Sequence, residues 1–440
     1  MVKPEKTIPN TMREPGRMAM ALLVTLLLPA LYASFRVSLL NLSLDPAQFG
    51  VITQLQWISL IFEILRDSLL ALTAFHLGAV VRDAARFQTR WINAFCLIVI
   101  THATLAAIIS GFDVHLLEVS GYNGLPNGIA ASYLRIESFA QIPMALLAVV
   151  QAALLVLSKT RWVYGLAIGH FFVAVVADSV MIPLVISSQA STIVWVGIAS
   201  ATAATATLLA ALCALTCTGI LQWNRPQADG VGVWLKRSGI AALECTLRNA
   251  VFIWMIIRLV NLSGESTLFW HTNHFIWTWM LMPVLAVGML VRRDAATTGS
   301  PALPRPIFYG AWLLGCCLIW TLSARFWPEL IHALMGYAAS AEAAALAQQQ
   351  IGFYLAFALS HILVQHFLGQ GKTGLLLINS AIVNVLYYGC AYLTWQVGLW
   401  EPTLLNIIRM FGWGMVTGLV TLALQYYWTL RRQMRQPLSP

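Results

Sequence analysis

Two stretches of this chain, LNLSLDPAQF at residues 40–49 and VNLSGESTLF at residues 260–269, resemble each other and lie 220 residues apart. The matched pairs are Asn41 with Asn261, Leu42 with Leu262, Ser43 with Ser263, Asp45 with Glu265 and Phe49 with Phe269. Because this offset is half of the 440-residue length, the match predicts that the second half of the chain repeats the design of the first.

The composition of the chain indicates a lipid environment. The chain is 59% hydrophobic and only 10% charged, with a mean hydropathy of +0.75, whereas about 25% of the residues of an ordinary soluble domain are charged. Inside a bilayer every backbone polar group needs a partner within the protein, which leaves helices or a closed barrel. The apolar runs are long enough to span as helices, and the alternating segments of about 10 residues typical of barrel strands are missing. The sequence therefore predicts an all-α, polytopic membrane protein.

Twelve apolar segments are long enough to cross a membrane. They lie at about residues 18–40, 50–81, 91–111, 132–157, 161–187, 193–223, 236–260, 267–291, 306–323, 348–370, 373–398 and 402–430. With the N-terminus in the cytoplasm, 19 of the 26 Lys and Arg residues fall in cytoplasmic connections or tails, and one, Arg325, falls outside. Since cytoplasmic connections are rich in Lys and Arg, we expect a multi-pass protein of the cell membrane with both termini cytoplasmic.

Six segments precede a polar linker and six follow it. The predicted divisions are a cytoplasmic tail at residues 1–17, a six-helix bundle at 18–223, a linker at 224–235, a second six-helix bundle at 236–430 and a tail at 431–440. Because six is even, both bundles enter the membrane in the same direction, so a pseudo-twofold relation between them is expected, as in some secondary transporters. The offset of 220 also pairs Gln54 with His274, which makes His274 a candidate cavity residue.

Charged residues inside the predicted spans are the candidates for function, because an ionised group at the bilayer centre costs about 2.5–3.5 kcal/mol on insertion scales. The second span carries Glu63 and Asp67 on one helical face, with Arg66 one turn from Glu63. These side chains either form a buried ion-pair network or line a path for a proton or a substrate. Asp178 has no basic residue nearby on its own helix, which makes it a candidate carrier of a coupling ion.

Further polar residues of the spans complete the candidate set. Glu244 precedes Arg248 by four residues, the spacing of a helical ion pair. Glu137 lies near an outer end beside Arg135, and either lines the cavity or extends toward the membrane surface. His361 and Gln365 share a face of the tenth span, where a histidine is either hydrogen-bonded in the core or functional.

Several of these segments resemble the MATE (multidrug and toxic compound extrusion) family of the flippase-like exporter superfamily. The resemblance rests on QWISLIFEILRDSLLALTAFHLG at residues 56–78, LECTLRNAVFIWMIIRLVN at 243–261 and HFIWTWMLMPVLAVG at 274–288, within twelve spans in two repeats. It implies two bundles around a central cavity and export of bulky organic compounds by alternating access, in exchange for Na⁺ or H⁺.

The resemblance also bears on single positions of this chain. One branch of the family uses a glutamate in span seven, which Glu244 matches, and an aspartate in span ten, where this chain has His361 and Gln365. Another branch uses an aspartate in span one, where this chain has only Arg36, so Asp178 is left to supply a carboxylate in the first half. The usual coupling positions are therefore only partly present.

The leading interpretation is a MATE-like antiporter in which Asp178, or the pair Glu63 and Asp67, carries the coupling ion. Two transporter alternatives are a lipid-linked saccharide flippase of the same superfamily, supported by the interior arginines, and a major-facilitator transporter, which the loop LGAVVRDAARFQTR at residues 77–90 matches poorly. Two alternatives belong to other classes: a multi-pass enzyme, such as an acyltransferase using His361, and a scaffold without transport.

The leading interpretation predicts no enzymatic activity, no metal site and no cofactor beyond a coupling ion. The expected partners are the transported substrate, which is a small organic compound or a lipid, and the surrounding membrane lipids. No binding of nucleic acid is expected, and the chain is expected to be a monomer.

Overall fold

The computed structural model of the chain describes residues 13–43, 56–119, 127–186, 192–222 and 229–434. Throughout these ranges the regular structure is helical and no strand is formed, so the predicted all-α class is confirmed. Most of the loop that follows Ser43, including Asp45 and Phe49 of the repeated motif, lies outside the described residues.

The helices of the first half, residues 13–222, are numbered α1 to α7. Their bounds are α1 Arg13–Ser43, α2 Gln56–Gly78, α3 Ala84–Gly111, α4 Asp113–Val119, α5 Asn127–Val156, α6 Thr160–Ile186 and α7 Thr192–Cys217. We call this part the N-half. Apart from the short α4, each helix corresponds to one predicted span.

The second half, residues 229–434, is the C-half, and its helices are more often interrupted. Their bounds are α8 Val231–Val251, α9 Arg258–Ser263, α10 Ser266–Phe275, α11 Met282–Thr298, α12 Pro306–Ser323, α13 Trp327–Met335, α14 Ser340–Gln349, α15 Ile351–Gly369, α16 Thr373–Ala381, α17 Tyr388–Gln396 and α18 Leu404–Met434. Three π-helical segments, Phe252–Ile257, Ile276–Met280 and Ile382–Tyr387, join successive pieces of these helices. Such π segments occur frequently at functional sites.

Within the described ranges, ten helices are long and apolar enough to cross a membrane, and an eleventh span is formed by Thr267–Met280 and Met282–Thr298, which meet at a bend of 50°. Pro283 stands at the start of the second piece, where its missing N–H and its ring interrupt the helix. The remaining predicted span, the second along the chain, corresponds to α2, whose 23 residues carry three charges, Glu63, Arg66 and Asp67. The chain is therefore an integral, multi-pass membrane protein.

The helix packing repeats between the halves, as the duplication requires. In the N-half α1 packs on α6 and α5 packs on α7, and the equivalent pairs of the C-half, α8 with α16 and α15 with α18, also pack together. Across the halves, α1 packs on α11 and α2 packs on α8. If the two halves are exchanged, the contact between α1 and α11 takes the place of the contact between α8 and α2, and the reverse. This is what a pseudo-twofold axis between the halves produces.

The halves are joined at one end of the molecule, which we call the basic end because its loops carry Arg82, Lys159, Arg305 and Lys372. There the indole of Trp234 stacks on the ring of His76, with centroids 4.9 Å apart. The guanidinium of Arg237 lies 4.3 Å from the ring centroid of Phe75. One continuous hydrophobic core, with Leu72 and Leu77 from the N-half and Trp234, Ala296 and Phe367 from the C-half, fills this end.

Gly78 allows this close approach of the halves, because a Cβ there would overlap Ala296 at 2.8 Å. Within the C-half, Gly369 likewise lets α15 pack on α11, because a Cβ there would overlap the carbonyl of Arg292. In addition Arg293, beside the buried Asp294, donates to Ser158 in the loop between α5 and α6. The basic end is thus sealed by packing and by a partly buried polar link between the halves.

At the opposite end the halves have separate cores. One core contains only N-half residues, such as Phe62, Ile109 and Leu134, and the other contains only C-half residues, such as Leu259 and Ile407. Because the halves share no core there and exposed charged side chains of α2 and α8 lie between them, we infer a cleft between the halves that is closed at the basic end.

Candidate functional site

The floor of this cleft carries eight polar side chains from four helices. They are Glu63, Arg66 and Asp67 of α2, Glu244 and Arg248 of α8, Arg292 of α11, and His361 and Gln365 of α15. We call this group the cleft cluster. It contains seven of the ten residues singled out from the sequence, together with Arg292.

The N-half wall of the cluster is formed by α2. Arg66 Nε lies 3.4 Å from Asp67 Oδ1, and Arg66 Nη2 lies 4.0 Å from Glu63 Oε1. The Glu63 and Asp67 side chains are 51% and 60% exposed although they stand near the middle of α2. Charged side chains in this position face water rather than acyl chains, because burial in hydrocarbon would be costly.

The C-half wall begins with Glu244 and Arg248, the predicted helical pair. Arg248 Nε lies 3.9 Å from Glu244 Oε1, so the pair forms, but loosely, and the Arg248 side chain is 56% exposed. Arg248 Nη2 also lies 3.6 Å from the sulfur of Cys245. The guanidinium therefore keeps donors available to another group in the cleft.

Arg292 occupies the deepest part of the floor. Its Nε donates to Gln365 Oε1 at 2.6 Å, and Gln365 Nε2 lies 3.3 Å from His361 Nε2. Within the described ranges no carboxylate lies within 4 Å of Arg292. Since an arginine stays protonated in proteins, this part of the cleft carries a positive charge without a directly contacting acid.

Gly288 of α11 makes room for these side chains. A Cβ at this position would overlap the imidazole of His361 and come within 3.0 Å of Gln365. On its other side His361 stacks on Phe357, with ring centroids 5.5 Å apart. His361 is therefore held in one orientation.

The two walls face each other across the cleft. Asp67 is within electrostatic reach of both Arg248 and Arg292. His361 is within reach of the same two arginines. Because these groups are close in space yet several remain exposed, the floor of the cleft is accessible to water.

A second polar group lies inside the N-half. The Asp178 side chain is 0% exposed, and its Oδ2 accepts a hydrogen bond from Tyr32 at 2.6 Å and lies 3.2 Å from Arg36 Nε. We call Arg36, Asp178 and Tyr32 the N-half cluster. Asp178 has no basic residue nearby on its own helix, and its partner is supplied by α1, which no pattern within α6 reveals.

Glu137 belongs to the surroundings of this cluster. Its Oε1 accepts from Gln141 at 3.2 Å, and its carboxylate is within electrostatic reach of Arg36. Arg135 pairs instead with Asp113 at the end of the helix. Glu137 thus faces the interior of the N-half and belongs to neither wall of the cleft floor.

His274 is placed apart from both groups. It is an exposed residue of α10, and its Nδ1 lies 3.4 Å from the hydroxyl of Thr278 on the same helix. Sequence reasoning missed Arg292, which was assigned to a loop. The sequence signal that places Arg292 on the helix is Gly299. This glycine adopts the left-handed conformation, with φ 63°, and ends α11 almost two turns beyond Arg292.

An apolar groove of about 490 Å³ lies on the C-half, between two of the π-helical segments. Trp254 and Met255 line one side, and Asn384, Tyr388 and Tyr392 line the other. Its volume is in the range of small-molecule sites.

Comparison with solved structures shows what fold this arrangement has. A multidrug resistance MATE family transporter of the MOP superfamily in an outward-facing conformation matches with a TM-score of 0.80 at 14% identity, over 98% of this chain and 100% of that chain. A MOP superfamily transporter from Pyrococcus furiosus, described as having a binding pocket of reverse polarity that suggests a different function, matches with a TM-score of 0.79 at 14% identity, over 97% and 98%. A mutant of the Vibrio cholerae MATE transporter VcmN matches with a TM-score of 0.79 at 13% identity, over 96% and 97%.

No protein-family model and no curated protein matches the sequence. At this identity the structural matches show the fold alone. The chain therefore has the fold of the MATE transporters of the MOP superfamily, as the sequence motifs predicted.

Proposed function

We propose that this chain is a MATE-type secondary transporter that exports organic or amphiphilic compounds by alternating access, in exchange for H⁺ or Na⁺. The observation that carries the proposal is the cleft: it separates two repeats, is sealed at one end by packing, and holds exposed charges on its floor. A structural or scaffold protein has no need of solvated carboxylates at the centre of a membrane-spanning bundle.

The direction of opening follows from the charge of the loops. If the basic end faces the cytoplasm, as the positive-inside rule predicts, the cleft opens to the outside. The opposite state requires the interface around Trp234, His76 and Gly78 to separate while the far ends of the halves close. This is the rocking of one repeat against the other that repeat-built transporters use.

Glu63 and Asp67 are the proposed coupling groups. Asp67 is within electrostatic reach of both arginines of the opposite wall, and Glu63 lies one turn from it on α2, so a proton or Na⁺ bound there changes the charge balance across the cleft. Glu244, whose carboxylate lies 3.9 Å from Arg248, is the third candidate. Binding of an ion and binding of substrate then compete through the same floor.

The test is efflux from proteoliposomes that contain the full chain and are loaded with a fluorescent organic cation. Imposed H⁺ and Na⁺ gradients are applied separately. We expect one gradient to drive efflux, and Asp67→Asn and Glu63→Gln to reduce it strongly. Glu342→Gln, at an exposed position of α14 outside the cleft cluster, is the matched control and should transport normally. If neither gradient moves the probe or an acidic amphiphile, the proposal fails.

A second candidate, translocation of an acidic amphiphile such as a lipid-linked saccharide, is favoured by Arg292. This arginine lacks a carboxylate within 4 Å in the described ranges and shares the floor with Arg248. The Pyrococcus furiosus neighbour, whose binding pocket is described as having a reverse polarity that suggests a different function, supports this candidate. This function would be selected if the chain transports a fluorescent pyrophosphate-linked lipid and does not transport the organic cation. Transport of the lipid should then be lost in Arg292→Gln.

His361 does not favour the enzyme alternative. Its Nε2 lies against Gln365 and its ring against Phe357, and no carboxylate in the described ranges forms a hydrogen bond with it. The solved proteins with this fold named above are transporters, which supports a protein without enzymatic activity.

A further inference from the structure

Asp178 is a carboxylate buried in the N-half. It is the one interior acid whose side chain is completely enclosed among those that the structure describes. Its Oδ2 faces the hydroxyl of Tyr32 and the Nε of Arg36, both from α1, whereas its Oδ1 has no hydrogen-bond partner within the described ranges. Its negative charge is therefore balanced chiefly by Arg36.

Arg36 is itself held in place on a second side. Its Nη2 donates to the backbone carbonyl of Val196 on α7 at 2.8 Å. The side chain is only 22% exposed, and its guanidinium lies 5.9 Å from the ring centroid of Tyr32. One arginine thus connects three helices, so removing it from Asp178 would break both its ion pair and its hydrogen bond to α7.

The remaining groups around Asp178 do not supply another cation. The helices packed against α6 are α1, α5 and α7. In the described ranges the ionisable groups that they bring near Asp178 are Tyr32 and Arg36, and Tyr133 and Glu137 lie within electrostatic reach of Arg36. On α6 itself, His170 is bonded to Thr207 on α7. Arg36 is the one permanent positive charge of this set.

We propose that Arg36 is a built-in counter-ion that occupies the cation position of Asp178, so that Asp178 does not exchange H⁺ or Na⁺ during transport. A guanidinium does not release its proton at physiological pH and, being part of the chain, cannot diffuse away. The site therefore has no ion to exchange, and ion coupling is left to the cleft cluster. This inference rests on the proposed function for its meaning in transport, but its test requires no substrate.

The proposal predicts what happens when the arginine is removed. A carboxylate enclosed in a low-dielectric interior must acquire a proton or a cation. The Arg36→Met variant should consequently become dependent on Na⁺ or acid for its stability. Arg36→Lys keeps the charge and should behave more like the unaltered protein. The double variant Arg36→Met with Asp178→Asn lacks both charges and should lose the new dependence.

The experiment measures the thermal unfolding of the purified full chain by tryptophan fluorescence. Na⁺ is varied at constant ionic strength against choline, and pH is varied in parallel. Because an ion that binds only the folded state stabilises it by mass action, we expect saturating Na⁺ or acid to raise the Tm of Arg36→Met by on the order of 2–4 °C beyond that of the double variant.

The unaltered chain supplies an independent arm if Arg36→Met does not fold. Any Na⁺ or pH response from the cleft carboxylates should persist unchanged in Asp178→Asn. The proposal is overturned if the Tm of the unaltered chain responds saturably to Na⁺ or pH and Asp178→Asn abolishes that response. It is also overturned if the Tm of Arg36→Met responds to Na⁺ or acid no more than that of the double variant. A failure of transport in proteoliposomes with these ion responses intact would count against the proposed function and not against this inference.

Discussion

The N-half cluster and the cleft cluster contain the same kinds of charged group in opposite surroundings. In the N-half, Asp178 is fully enclosed, and Tyr32 and Arg36 contact it at 2.6 and 3.2 Å. In the cleft, the pairs of Arg66 and of Arg248 with their carboxylates measure 3.4 to 4.0 Å. The side chains of Glu63, Asp67 and Arg248 are more than half exposed, whereas Glu244 is 20% exposed.

The difference follows from the cost of desolvation. A buried ion needs a close partner, because water cannot compensate it, and removing one partner leaves a charge with nothing to balance it. An exposed ion keeps most of its hydration and gains little from pairing. The first arrangement holds helices together, whereas the second leaves charges free to bind something that enters from solution.

The largest expected effect comes from breaking the buried pair. Asp178→Asn leaves Arg36 without its acid and should lower the free energy of unfolding by about 3–5 kcal/mol, the usual cost of removing one partner from a buried pair. Thermal unfolding of the full chain at pH 7 measures it. Asp67→Asn, which removes an exposed acid from the cleft, is the matched control and should change stability by at most about 1 kcal/mol. Equal losses in both variants would remove the distinction between the clusters.

An intermediate effect is expected where the cleft cluster is packed rather than solvated. Gly288→Ala places a Cβ against His361 and Gln365, and overpacking of this kind costs about 1–3 kcal/mol. Gly239→Ala is the control, because α8 leaves open space around that glycine, so the substitution should be neutral or stabilising by about 0.5–1 kcal/mol. Thermal unfolding again measures both, and an unchanged Tm in Gly288→Ala would mean that His361 is not fixed by this contact.

A smaller effect on stability is expected from Glu244 on α8, because its partner Arg248 is 56% exposed and the pair is loose. Glu244→Gln removes the acid 3.9 Å from Arg248 and should change the free energy of unfolding by only about 0–1 kcal/mol. If Glu244 takes part in coupling, gradient-driven efflux should fall while stability is kept. A variant that loses stability as strongly as Asp178→Asn would contradict the solvated character of the cleft.

The sequence predicted the fold better than the site, and the reason is physical. The spans follow from apolar runs, which are local, and the helical pair of Glu244 and Arg248 follows from spacing along one helix. The partner of Asp178 lies 142 residues away on α1, and no single helix contains the information that Arg36 faces it. Likewise Arg292 was assigned to a loop because the apolar run ends before it, although tertiary packing extends α11 to Thr298.

The smallest effect should come from an ion pair outside the membrane-spanning helices. Asp229, which precedes α8, accepts from Arg86 and Arg90 at the start of α3, at 2.8 to 3.3 Å. Hydrogen bonds from Arg86, and then from Arg90, hold the pKa of this carboxyl well below its usual value. The stabilisation is therefore complete above the unfolded pKa of about 3.9 and is lost as the pH falls toward the folded pKa.

Because the pair is partly exposed, we expect Asp229→Asn to lower the Tm at pH 7 by about 1 °C or less, and less still at high salt. The difference between the variant and the unaltered chain should shrink below about pH 4, where the unfolded carboxyl is protonated. Thermal unfolding between pH 3 and 7 at low and high salt measures this. A loss comparable to that of Asp178→Asn would show that enclosure of the charge does not decide how much an ion pair of this chain contributes to stability.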